Sequence, residues 1–166
     1  MNAQQPASTS PRTPSIHWED FHVGEVREFG AMTVRRDDII DFARRFDPQP
    51  FHLDDAGGRA TPYGGLIASG WHTCALAMRM MCDEYLLDAA SLGSPGLDSV
   101  RWTAPVRPGD SLRMRLTVLG TRAMRSRPDA GLVDTRWELF NQRGERVLDM
   151  RGWGMFGRRA ADAGAP

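Results

Sequence analysis

The chain has 166 residues, long enough for one domain with a substantial core. Its apolar fraction is 41%, its charged fraction is 25%, and 21 basic residues balance 21 acidic ones. That balance argues against an electrostatic nucleic-acid binder, while leaving room for a small anionic ligand on a local basic patch.

Residues 1–15 are rich in Gln, Ser, Thr and Pro and carry no apolar run. They read as a disordered leader rather than a secretory signal. The domain then spans 16–157, and 158–166 form an Ala/Gly/Pro tail. His17 to Gly24 is an extended opening segment with Trp18, Phe21 and Val23 to pack on the body. Val26 to Val34 suits a strand. A helix follows, capped by Asp37 or its neighbour, with Asp37 and Asp38 in its first turn. Ile39, Ile40, Phe42, Ala43 and Phe46 make its apolar face, and Pro48 stops it.

Asp47 to Pro62 reads as a loop, punctuated by Pro48, Pro50, Gly57, Gly58 and Pro62. Leu66 to Leu87 is the longest helical pattern, apolar over most of its circumference, and is expected at the centre of the fold. Cys74 and Cys82 lie within it, about 12 Å apart along the axis. That is too far to bridge, so both read as small buried apolar residues and a reducing cytoplasm is expected. Leu92 to Gly96 is a predicted loop. Strands follow at Leu97–Thr103, Ser111–Thr121, Leu132–Phe140 and Val147–Phe156. Their turns fall at Val106–Asp110 and Asn141–Gly144, with a basic loop at Arg122–Gly131. No apolar stretch approaches the roughly 18 residues of a membrane span.

Consecutive strands joined by turns make an antiparallel sheet, whose inner face needs a cover. The long apolar helix supplies it. The fold class is therefore α+β: a single hotdog domain, an antiparallel sheet wrapped around a long central helix.

The chemistry concentrates in Asp47-Pro48-Gln49-Pro50-Phe51-His52. A carboxylate and an imidazole five residues apart, on a proline-stiffened turn, can grip one water molecule. Downstream, Gly64-Gly65-Leu66-Ile67-Ala68-Ser69-Gly70 opens the long helix, whose N-terminus offers free N–H groups to an anion. Taken alone, Asp47 is equally a turn residue before proline, His52 a packed core histidine, and Gly70 a site of close packing. Their joint spacing favours the chemical reading. No histidine pair has metal spacing with a carboxylate, so no metal is expected.

These residues resemble the MaoC-like dehydratases, among them the R-specific enoyl-CoA hydratases. The family's Asp-x-Asn-Pro-x-His motif is matched by Asp47 to His52, with Gln49 in the place of Asn. Its alanine-histidine-glycine step is matched by Ala68-Ser69-Gly70, with Ser69 in the place of His. Trp102 to Asp110 and Phe140 to Glu145 match further segments. The resemblance implies Asp47 and His52 as the catalytic pair and the Gly70 N–H as oxyanion donor to a thioester carbonyl. It also implies water addition to a 2-enoyl-CoA, reversible and without metal or cofactor, CoA being part of the substrate. Gln49, Ser69, Trp71 and Met78 are then expected at the substrate. Arg122 and Arg125 are either a solvated loop or a clamp for CoA phosphates. Bulky Trp71 implies an altered acyl site. A homodimer joined edge to edge, with the CoA tunnel along the interface, is the expected assembly; neither nucleic acid nor membrane is an expected partner. Two rivals share these parts: a hotdog thioesterase and a non-catalytic acyl-CoA binding module.

Overall fold

The structure, a computed structural model, describes residues 13–159. Most of the expected leader and tail lies outside them. The flanks inside them are tied down: Ser15 donates its N–H to Asp88 O at 2.9 Å, and Arg158 and Arg159 pair with Glu19 and Asp20.

Five strands form one antiparallel sheet: β1 (Val26–Thr33), β2 (Ser91–Trp102), β3 (Ser111–Ala123), β4 (Ala130–Phe140) and β5 (Arg146–Gly157), in the order β1-β3-β4-β5-β2. Alternation decides which face is inner. Leu112, Met114, Leu116 and Val118 of β3 are buried, while Arg113 and Arg115 between them are exposed. On the outer face of β4 and β5 the charges pair across strands. Arg136 meets Asp149, Arg146 meets Glu138 and Arg151 meets Asp134, each at 2.7 Å. This pairing explains why Asp134 and Glu138 tolerate burial.

The inner face is covered by α4 (Gly70–Met81), whose Ala77, Met80 and Met81 reach the core. This is the expected hotdog architecture. Three shorter helices precede α4: α1 (Arg36–Phe46), α2 (Pro50–Leu53) and α3 (Asp55–Arg59).

The structure corrects several boundaries. The central helix starts at Gly70, not Leu66, because Leu66 to Ala68 is pinned in extended form: Ile67 N–H bonds Phe51 O and Ala68 N–H bonds Val106 O. The helix ends as a π-turn over Cys82–Leu86. It is also less enclosed than expected, since Trp71 and Met78 are 62% and 50% exposed. The 47–62 loop contains α2 and α3: Pro50 opens α2, and Asp54 caps α3 through Gly57 N–H at 2.7 Å. Asp37 does not cap α1; Arg35 occupies that position with no side-chain bond. Leu92–Gly96 is not a loop but the irregular first half of β2, whose pairing with β5 shifts register at Gly93 and Gly96. Among the described residues no helix is long and apolar enough to cross a membrane.

Candidate active site

Pro48 cannot continue α1, so the chain turns out at Asp47, whose N–H closes the helix on Ala43 O. Pro50 then starts α2 and places His52 on it, 5% exposed. The stretch before α4 is pinned alongside, and the two segments meet. His52 Nδ1 lies 2.9 Å from Ile67 O. A carbonyl only accepts, so Nδ1 carries the proton and Nε2 presents a lone pair. That Nε2 faces Asp47 Oδ2 at 3.4 Å.

Asp47 is held from two sides. Ser69 Oγ donates to Oδ2 at 2.7 Å, and Gln49 Nε2 donates to Oδ1 at 2.8 Å. Burial pushes its carboxyl upward, but the bonds from Ser69 and Gln49, with His52 nearby, outweigh that and hold it below the usual carboxylate range. Ser69 also accepts the Trp71 N–H at 3.2 Å, as N-cap of α4. One buried hydroxyl thus ties the helix start to the carboxylate.

Gly70, first residue of α4, has no intrahelical acceptor for its N–H. The Trp102 indole lies against it: a Cβ on Gly70 would meet the ring at 2.6 Å, and Trp102 Nε1 donates to Gly70 O at 2.8 Å. Close packing and a free N–H coexist at this residue. Asp47, Gln49, His52, Gly70, Trp71 and Trp102 line one cavity of about 460 Å³.

The structure brings Asp47, His52, Gly70, Gln49 and Trp71 together. It separates the other expected site residues. Ser69 is fully buried and is not among the residues lining the cavity; its hydroxyl is bonded to Asp47. Met78 lines a second cavity of about 340 Å³, between α4 and the β2, β4 and β5 end of the sheet. Cys74 of its wall, whose thiol burial pushes up, contacts the Trp102 indole of the first cavity's wall. Arg122 and Arg125 flank a surface recess elsewhere. Arg122 is in register with Leu132 and Met155, whereas Trp102 pairs with Leu148 and so aligns with Leu139 and Met114. Eight residues of β3 separate those levels, roughly 26 Å. Arg122 stacks on Trp153 at 5.1 Å. Within one chain the arginines do not reach the Asp47–His52 cavity.

The roles of two residues escaped the sequence reading. The anchoring role of Ser69 was open to inference, because serine before a helical run is a capping signal. Trp102 carried no local signal, since its contact with Gly70 spans strand and helix.

Fold and site together define a hotdog domain in which an Asp–His pair lies beside the N-terminus of the central helix. A model of the MaoC like domain matches residues 20–136, and the chain belongs to this hydratase/dehydratase family. It is 38% identical to the MaoC-like dehydratase of Rhodospirillum rubrum, with TM-score 0.81, covering 89% of this chain and 100% of that one. The unliganded R-hydratase PhaJ1 of Pseudomonas aeruginosa is 26% identical, with TM-score 0.70 and coverage of 91% and 94%. Uncharacterized protein YdeM of Bacillus subtilis is 27% identical over 131 residues, 79% of this chain and 92% of that protein.

Proposed function

We propose that the protein is an enoyl-CoA hydratase, equally a 3-hydroxyacyl-CoA dehydratase in reverse. The observation that carries this reading is the His52 Nε2 lone pair facing the Asp47 carboxylate beside a free helix-terminal N–H. Two acceptors 3.4 Å apart have no proton to share, but a water placed against both can donate to each. Its oxygen is then free to attack the β-carbon of the enoyl thioester. His52 takes one proton from the water, and the Asp47 carboxylate stabilises the imidazolium. The same imidazolium returns a proton to the α-carbon, so water adds across the double bond with no net change in the enzyme. Between these events the thioester oxygen carries negative charge, which the Gly70 N–H and the helix dipole stabilise. No step in this sequence calls on a metal or a cofactor.

The second cavity supplies room for the acyl chain: it is largely apolar, and its wall residue Cys74 touches Trp102 of the first cavity. Edge strand β2 and α4 leave Trp71, Met78, Leu92, Leu97 and Trp102 exposed. A homodimer joined along β2 covers this strip and satisfies the edge. The working compartment is the cytoplasm. The test is to follow loss of enoyl absorbance of crotonyl-CoA beside release of free CoA. Absorbance loss without CoA release supports hydration. CoA release with the enoyl group intact identifies a thioesterase, and neither change identifies a binding module.

A further inference from the structure

The second cavity contains a phenol, Tyr85, whose hydrogen meets no acceptor among the described residues. Its walls are mostly apolar, from Phe21, Met81, Leu97 and Phe156, with the hydroxyl residues Tyr85, Ser91, Ser94 and Thr135 among them. Tyr85 is 3% exposed and Trp137 8% exposed. The Trp137 indole N–H is buried and reaches no acceptor at bonding geometry; its polar neighbour is the Tyr85 hydroxyl. An indole N–H can only donate, whereas a phenol both donates and accepts. If Tyr85 accepts from Trp137, the phenol's own hydrogen still has nowhere to go among the described residues. A buried donor left unbonded is costly, so the pair is completed by something that fills the cavity.

We infer that the cavity selects an acyl chain carrying an uncharged oxygen acceptor near its far end (a hydroxyl, ether or ketone), received by the Tyr85 hydroxyl. This rests on the proposed hydratase reading and names the substrate class it acts on. Length is consistent with it. Gly70 and Tyr85 are fifteen residues apart, about 20 Å along the helix, and the tyrosine side chain leans back toward the N-terminus. The gap is one that an acyl chain on the order of ten carbons bridges. Charge decides between oxygen types. Among the described residues of this chain no Lys, Arg or His lines the cavity, and Arg27, whose charge reaches Tyr85, is already paired with Glu25 at 2.6 Å. A terminal carboxylate would be buried without a partner and is rejected.

The test compares three 2-enoyl-CoA substrates of equal, medium chain length, ending in methyl, hydroxyl or carboxylate, on the wild-type protein and Tyr85→Phe. In the wild type, kcat/KM for the hydroxyl substrate exceeds that for the methyl substrate about tenfold, and the carboxylate substrate is poorest. In Tyr85→Phe the ratio of kcat/KM for the hydroxyl substrate to that for the methyl substrate falls to near unity, whatever the absolute rates. An equal rate for methyl and hydroxyl substrates in the wild type, or an advantage that survives Tyr85→Phe, overturns the inference and leaves the hydratase reading standing. Preference for the carboxylate overturns it too. Absence of hydration with every substrate, crotonyl-CoA included, overturns the hydratase reading itself.

Discussion

Removing the Ser69 hydroxyl tests whether the Asp47 carboxylate works because it is held. The Oγ donates to Oδ2 at 2.7 Å and accepts from Trp71 N–H at 3.2 Å. A bond to an ionised carboxylate contributes about 1.5–3 kcal/mol. The Asp47 side chain keeps 19% exposure, so water replaces part of that. The net loss of positioning is then about 1–2 kcal/mol, or roughly 5- to 30-fold in kcat/KM. Two variants separate this from simple helix damage. Ser69→Ala also loses the cap, about 1 kcal/mol of stability, whereas glycine caps nearly as well as serine. Both variants should therefore lose the same activity on crotonyl-CoA, while urea denaturation shows Ser69→Ala the less stable. The pH profile adds a second readout. The Ser69 bond lowers the Asp47 pKa, so its removal lets the pKa rise, and the acid limb of kcat/KM moves to higher pH. Activity within twofold of wild type with an unmoved acid limb would falsify the anchoring argument.

Asp47→Asn and His52→Gln should each lower crotonyl-CoA hydration by about 10²- to 10⁴-fold without shifting the denaturation midpoint by more than a small amount; near-normal turnover in either variant removes that residue from the reaction. Gly70→Ala puts a Cβ at 2.6 Å from the Trp102 ring and should cost about 1–3 kcal/mol of stability, measured by thermal unfolding. Trp102→Leu in the same chain should return most of that loss, and no recovery would mean the clash lies elsewhere. Burial pushes the Tyr85 phenol from 10.0 up to about 12. The unfolded chain therefore gives up this proton first as pH rises. Stability from this group is intact below pH 10 and falls by about 2–3 kcal/mol between pH 10 and pH 12. Tyr85→Phe should flatten that part of the stability–pH curve, and an unchanged slope refutes the assignment.

Much of the fold was legible because strand alternation is a local property. Leu112 to Val118 alternate with Arg113 and Arg115 in sequence as they do across the sheet. The Asp47–His52 pair was legible for the same reason: two prolines fix a short segment wherever it is placed. The start of α4 was not. Leu66 and Ile67 continue the helical hydrophobic pattern, and only the bonds to Phe51 and Val106 hold them extended. Gly93 to Gly96 looked like a loop because glycine and proline weaken a strand locally, yet β5 pairs with the segment through shifted registers.

The sequence by itself determined the sheet, the covering helix and the closeness of Asp47 to His52, since each is written in residues near one another. The tertiary structure alone decided what those groups can do. It set the His52 tautomer through Ile67 O, the carboxylate's grip through Ser69, and the Trp102 wall against Gly70. It also moved Arg122 and Arg125 away from the cavity and Met78 into a second one. All of these depend on contacts between segments far apart in the chain. Local periodicity and spacing carry no information about which distant backbone atom a side chain will meet.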